Sequence, residues 1–275
     1  MTSGGRSLAW RLWTGLVVVY TLFPVAWIVS LSFKTGAQLT DGRFLPTRPG
    51  LANYRTVLSS ELFTHALRNS VGVAVITTAL AVALAACGAY ALVRLEFPFK
   101  RAVLGAALAI AMFPQVALIG PLFNLWRGLG LYDTWAGLVL PYLSFSLPLA
   151  LWTLTASFRE LPWELEQAAR MDGATRWQAF HKVMLPLAAP GIFTAAILTF
   201  FFAWNDFLFG ISLTSSEAAR TAPAALAFFS GQSQFQQPYG AIAAAAVVVT
   251  VPVVLLVLLF QRRIVAGLTA GAVKG

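Results

Sequence analysis

The sequence predicts an all-α, polytopic membrane protein with six transmembrane helices. Three observations carry that prediction. The 275 residues are 59% hydrophobic and only 11% charged, with a mean hydropathy of +0.76, whereas a soluble domain carries about 25% charged residues. The apolar residues are gathered into runs that match the roughly 20 residues a helix needs to cross a bilayer. Charges bracket those runs instead of interrupting them. Backbone groups in lipid must bond within their own segment, so helices are the expected solution.

Arg11 and Lys34 bracket the first run, Leu12 to Phe33. Its apolar part is too long for a cleaved leader and no small-residue cleavage pattern ends it, so a retained helix bent near Pro24 is expected. Residues 34–67 are mixed and turn-rich, with Asp41-Gly42, Pro46 and Pro49-Gly50, and read as an external segment. Residues 1–67 therefore form an N-terminal region of one helix plus that segment. Residues 68–275 hold five further runs. These are Asn69 to Val93, Ala102 to Trp126, Thr134 to Ser157, Leu187 to about Leu213, and Tyr239 to Gln261.

Orientation follows from counting. With both termini inside, the inner basic residues are Arg6, Arg11, Arg94, Lys100, Arg101, Arg159, Arg170, Arg176, Lys182, Arg262, Arg263 and Lys274, 12 in all. The outer ones are 7: Lys34, Arg43, Arg48, Arg55, Arg68, Arg127 and Arg220. The excess favours cytoplasmic termini. The same distribution disposes of a nucleic-acid reading of the +9 net charge, since the basic residues flank apolar runs. The single cysteine, Cys87, has no partner in the chain, and His65 and His181 lack ligand spacing, so neither a disulfide nor a metal site is expected. Asn69, Gln115 and Asn124 are expected to tie helices together.

Residues 158–186 are unusual because a loop between two apolar helices is normally short. Pro162 suits a first helical position, Glu164 and Glu166 suit the positive end of the helix dipole, and Gly173 suits a left-handed terminator. Thr175 can cap a second helix, with Gln178 completing a capping box. Trp177, Phe180 and Met184 then share one face. The result is a charged, aromatic-edged helical hairpin. It serves either as an interfacial loop anchored by Trp163 and Trp177 or as a docking element for a cytoplasmic partner.

Within this hairpin, Glu166-x-Ala168-Ala169-x-x-Asp172-Gly173-Ala174, followed by Leu185-Pro186, resembles the EAA signature of ABC importer permeases. Gln167 stands where the first alanine of the triplet is usual. The ending Gln261 to Gly275 and the pair Trp204-Asn205 are similar to carbohydrate-importer permeases of the maltose-transporter type. Arg94-Leu95-Glu96-Phe97-Pro98 and Ser233-Gln234-Phe235 narrow the likeness to permeases of actinobacterial trehalose and maltose importers.

The resemblance implies a type I ABC importer (MetI-like) permease fold in the bacterial cytoplasmic membrane. It implies a non-catalytic subunit that translocates a sugar, such as the disaccharides trehalose or maltose. The expected partners are a homologous second permease, two copies of a cytoplasmic ATPase and an extracytoplasmic sugar-binding lipoprotein. The loop 159–185 would be the coupling helix seated in a cleft of the ATPase, with Glu166, Ala168, Ala169, Asp172, Gly173 and Ala174 as coupling residues. The tail 264–275 would reach between the ATPase subunits through Gly267, Thr269, Gly271 and Lys274. No cofactor is expected on this chain, because it contains no phosphate-binding G-x-x-x-x-G-K-[ST] loop; ATP and Mg belong to the partner ATPase.

Asp206 is the only acidic residue inside an apolar run, a functional candidate by default. With Trp204 and Asn205 it offers an aromatic plate and hydrogen-bonding groups suited to a sugar pathway. The alternative is an interhelical bond or an interfacial position. A membrane-embedded enzyme would need a nucleophile–base or metal constellation, and none is visible. A gradient-driven transporter would need inverted repeats and buried ionisable relays, for which one acidic residue is thin support.

Overall fold

A computed structural model describes residues 3–229 and 238–270, with the backbone alone for residues 3–9 and 261–270. Every regular element among the described residues is helical. The chain opens with α1 (Ser3–Ser32), a 3-10 turn (Gly36–Leu39), α2 (Ala52–Leu58), α3 (Glu61–Arg94), α4 (Lys100–Ala111), α5 (Gln115–Leu129) and α6 (Trp135–Glu160). It continues with α7 (Trp163–Met171), α8 (Arg176–Ala179), a π-helical turn (Phe180–Met184) and α9 (Leu185–Leu187). The last elements are α10 (Ala189–Asn205), α11 (Leu208–Leu213), α12 (Ala222–Phe228) and α13 (Tyr239–Ala270).

Four helices, α1, α3, α6 and α13, are long and apolar enough to cross a membrane singly. Two bent pairs bring the number to the expected six when each pair is counted as one span. The third run is not one helix over 102–126: α4 and α5 meet at 87° across a break at Met112–Pro114. Pro114 has no N–H to continue the ladder and sits in an extended conformation as the residue before α5. The fifth run also departs from expectation. Arg176–Leu187 and α10 meet at 75°, and α10 ends at Asn205 instead of running on to Leu213. Pro186 and Pro190 flank that bend. At 17 residues, α10 is about 25 Å long.

Helix limits differ elsewhere for a common reason. α3 starts at Glu61, not Asn69, and α13 continues past Gln261 to Ala270. Charges mark where lipid ends, but a helix carries charges readily outside lipid. α1 continues through Pro24.

The described residues fall into two compact units, one within Met1–Thr64 and Leu226–Pro252, the other within His65–Ala225 and Val253–Gly275. In the first, the end of α1 is fastened by the segment that follows it. Asn53 donates through Nδ2 to the carbonyls of Ser32 (2.9 Å) and Lys34 (2.8 Å). The Tyr54 hydroxyl meets Ser32 Oγ at 2.7 Å. The buried Lys34 ammonium donates to the Arg43 carbonyl and stands 3.4 Å from Asp41. The body of α1 is exposed all round, with Trp10, Val19 and Tyr20 open. An apolar helix in that state belongs in lipid or against another chain.

In the second unit, α10 and α4 pack on α6. The close approach of α10 depends on Gly191, where a Cβ would collide with the Ser157 hydroxyl. The core joins Ala85, Ala86, Ala89 and Tyr90 of α3 to Leu154 and Phe158 of α6, and to Phe180 and Met184 of the π turn. Alanines on α3 let the neighbouring backbones approach. Phe180 is 4% exposed, and truncating such a side chain to Ala costs about 3–5 kcal/mol. The hairpin is therefore built into the core of this unit.

Candidate functional site

The hairpin forms as its local sequence dictates. Pro162 is the extended residue preceding α7, one position earlier than expected, and Trp163 is the first helical residue. Glu164 and Glu166 lie in the first turn, where the dipole favours them. At the far end Gly173 adopts φ +88°. Its N–H donates to the Arg170 carbonyl (3.1 Å), and the Ala174 N–H donates to the Ala169 carbonyl (3.0 Å). These two bonds close a Schellman motif around Gly173. Thr175 and Gln178 then form both bonds of a capping box, Gln178 N–H to Thr175 Oγ1 at 3.2 Å and Thr175 N–H to Gln178 Oε1 at 2.8 Å.

The expected common face of Trp177, Phe180 and Met184 is buried only in part. Phe180 and Met184 are buried, while Trp177 is 65% exposed. The π turn begins only at Phe180, beyond Trp177, so the difference in exposure arises at the open start of α8. Trp177 still touches Phe180, with ring centroids 5.4 Å apart and the rings tilted by 40°.

The motif residues face different ways. Ala168, Asp172 and Gly173 are exposed, and Leu165 (41%) and Met171 (88%) present apolar surface beside them. Glu166 points inward and is 4% exposed. Its Oε1 accepts from the Tyr90 hydroxyl at 2.6 Å. Its Oε2 stands 3.4 Å from Arg94 Nε, an ionic contact too oblique to be a hydrogen bond. Arg94 also donates through Nη2 to the Leu161 carbonyl (2.8 Å) and lies over the Trp163 ring at 4.8 Å. Tyr90 completes the cluster by placing its ring 4.8 Å from that of Phe180. Sequence reasoning reads Arg94 as a bracket on an apolar run, an inner positive charge and part of the family likeness, gives it no role in the hairpin, and passes over Tyr90. The signal available was their four-residue spacing, which puts both on one helix face at the end of a span.

The three candidate pathway residues are not brought together. Trp204 is 1% exposed and stacks on Phe200 at 5.5 Å. Asn205 is exposed and donates to the Phe201 carbonyl at 2.9 Å. Asp206 ends α10 and accepts from the Tyr142 hydroxyl (2.9 Å) and from the N–H groups of Phe209 (3.0 Å) and Gly210 (3.2 Å). Its carboxyl thus caps α11 and ties it to α6. Gly267 and Thr269 lie on the backbone of α13, while Gly271 and Lys274 lie outside the described residues.

Two further ties organise the segment after α11. Asn69 donates to the carbonyls of Glu217 (2.8 Å) and Arg220 (3.0 Å) and accepts from Trp135 Nε1 (3.1 Å), the helix-tying role expected of it. Asp133, itself at φ +60°, accepts from the N–H groups of Ser215 (2.9 Å) and Ser216 (3.1 Å) and from the Ser216 hydroxyl. Burial raises the Asp133 pKa, but these hydrogen bonds outweigh it and hold the carboxyl below its ordinary value.

Residues 84–269 match the family described as binding-protein-dependent transport system inner membrane component. The trehalose transport system permease protein SugB of Mycobacterium tuberculosis is 57% identical over 270 residues, 98% of each chain. The trehalose/maltose transport system permease protein MalG of Thermococcus litoralis is 38% identical over 94% of each chain. Among solved structures, a bacterial ABC transporter involved in the import of the acidic polysaccharide alginate contains a chain with a TM-score of 0.83 and 24% identity. That alignment covers 95% of this chain and 98% of that one, and the likeness is one of fold.

Proposed function

The chain belongs to the family of binding-protein-dependent transport system inner membrane components, and from that premise we propose that it moves a disaccharide of the trehalose or maltose class into the cell. It is a non-catalytic permease subunit of an ABC transporter. In this reading residues 68–275 form the permease core, and residues 1–67 add a helix and an external segment. Both termini face the cytoplasm. A second permease completes the pathway, two ATPase subunits bind ATP and Mg, and an extracytoplasmic lipoprotein delivers sugar.

The observation that carries the coupling role is the two-sided hairpin. Its inner side is locked into the core by Phe180, Met184 and Glu166, and its outer side offers Leu165, Ala168 and Met171 to a partner. A rigid element with an unpartnered apolar face transmits force between two bodies. ATP-driven closure of the ATPase pair would shift the hairpin, and the attached spans would turn the cavity outward. ATP can shift only an equilibrium whose two states bind it differently. Asp172, Gly173 and Ala174 shape the turn of that element. The tail residues Gly267, Thr269, Gly271 and Lys274 add a second ATPase contact. Asn205, the exposed member of its trio, is assigned to the pathway, with Trp204 and Asp206 supporting it.

Purification of the complex through a tag on this chain tests the reading. Co-isolation of an ATPase, a second permease and a binding protein is expected. ATPase activity titrated with a disaccharide panel should rise with trehalose or maltose in the presence of the binding protein. Isolation of this chain as a functional homodimer without an ATPase excludes the assignment.

A further inference from the structure

We propose that Arg94 and Tyr90 are positioning residues for coupling, pinning both helices of the hairpin to the cytoplasmic end of α3 so that α3 is a span the hairpin drives. This inference rests on the coupling reading of the hairpin given above. The hairpin is already joined covalently to α6 at one end and to α10 at the other. α3 is connected to it only through side chains.

Those side chains converge from one face of the last turn and a half of α3. Arg94 holds the start of α7 in three ways: a hydrogen bond to the Leu161 carbonyl at 2.8 Å, the ionic contact with Glu166 at 3.4 Å, and the stack on Trp163 at 4.8 Å. Tyr90 holds both halves at once. Its hydroxyl donates to Glu166 of α7 at 2.6 Å, and its ring lies 4.8 Å from Phe180 of the π turn. Among the described residues α7 packs mainly on α8 and the π turn, so these side chains are what tie it directly to α3. Apolar packing alone would let the hairpin slide along α3. Hydrogen bonds and a buried charge pair fix direction and register.

The burial of the pair makes the pin decisive. The Arg94 and Glu166 side chains are each 6% exposed, and water cannot readily replace either partner. The pair therefore moves as a unit or leaves a charge stranded. Glu166, one of the six motif residues, is thus engaged inside this chain.

The test uses the complete complex in proteoliposomes and measures sugar moved per ATP hydrolysed, together with copurification of the ATPase. Arg94→Met keeps the stem and removes the charge, and Tyr90→Phe removes only the hydroxyl. Both should retain the ATPase while sugar moved per ATP falls by about tenfold for Arg94→Met, within the usual range of coupling between linked sites, and by less for Tyr90→Phe. The exchanged pair Arg94→Glu with Glu166→Arg should recover part of the loss, which a merely structural defect would not allow. A control, Met171→Asp on the outer face, should release the ATPase. If Met171→Asp releases it while Arg94→Met and Tyr90→Phe transport at the wild-type ratio, the pin is refuted and the coupling reading stands. If Met171→Asp binds and couples normally, the docking reading itself fails.

Discussion

Gly173 offers a sharp test because its surroundings contribute nothing to the outcome. A Cβ placed there meets no atom within 4 Å, yet the backbone sits at φ +88°. Substitution therefore acts through the local backbone alone. An L-residue in the left-handed region costs about 1–2 kcal/mol, and a β-branched residue is a worse fit. The chain can escape that strain only by opening the turn. Opening gives up the hydrogen bonds from Gly173 to Arg170 and from Ala174 to Ala169, each worth about 0.5–1.5 kcal/mol net. The cheaper route weakens the hairpin by about 1–2 kcal/mol, roughly a five- to thirtyfold shift in its ordered population. Sugar uptake per ATP hydrolysed, measured in proteoliposomes, should fall in the order Gly173, Gly173→Asn, Gly173→Ala, Gly173→Val, with membrane insertion unchanged. Asn should keep most of the activity because it tolerates positive φ. A Val variant that couples normally refutes the reasoning, and so does an Asn variant as impaired as Val, which would point to a steric contact with the partner.

Four further perturbations have expected outcomes. Asp133→Asn should loosen the segment around Ser215 and Ser216 by about 1 kcal/mol, a low value because solvent screens a half-exposed carboxyl. This is measurable as faster amide exchange there. Because the folded Asp133 pKa is depressed, its contribution is complete above the ordinary carboxyl value of 3.8 and disappears as pH falls through the lower folded value. Exchange should therefore accelerate only in acid. Asp206→Ala removes the cap from α11 and the bond to Tyr142, so it should lower thermal stability in detergent by about 1–3 kcal/mol. Asn205→Ala should leave stability alone and reduce uptake; wild-type uptake in Asn205→Ala removes it from the pathway. Deleting residues 267–275 should lower sugar-stimulated ATPase activity without affecting insertion, and unchanged stimulation would argue against a tail contact.

Much of this architecture is readable from the residues, and the failures share a physical origin. The turn at Gly173 and the capping box of Thr175 and Gln178 are encoded within a few residues, so local rules find them. The spans follow from lipid physics, which acts on composition. The 87° break at Met112–Pro114 was missed because an apolar run looks continuous to a hydropathy count while Pro114 interrupts its hydrogen bonds. Arg94 illustrates a different limit. A basic residue at the end of a span reads as a topological marker, and only the fold reveals a Glu 72 positions later in the same cluster. Trp204, Asn205 and Asp206 look like one surface because they are consecutive. Successive helical residues turn by about 100°, which sends Trp204 inward and leaves Asn205 outside.

The π turn at Phe180–Met184 bears on which changes in chain length this protein can survive. From Thr175 onward the hairpin leads into α10 without a true loop, so an inserted or lost residue in α10 would rotate everything beyond it by about 100°. A π turn holds one residue more than the α-helical turn it replaces. Loss of His181 or Lys182, both exposed, would tighten that turn to ordinary α-geometry and preserve the bearing of α10. The segment is thus a place between Gly173 and Asn205 where the chain could lose a residue without turning α10 about its axis.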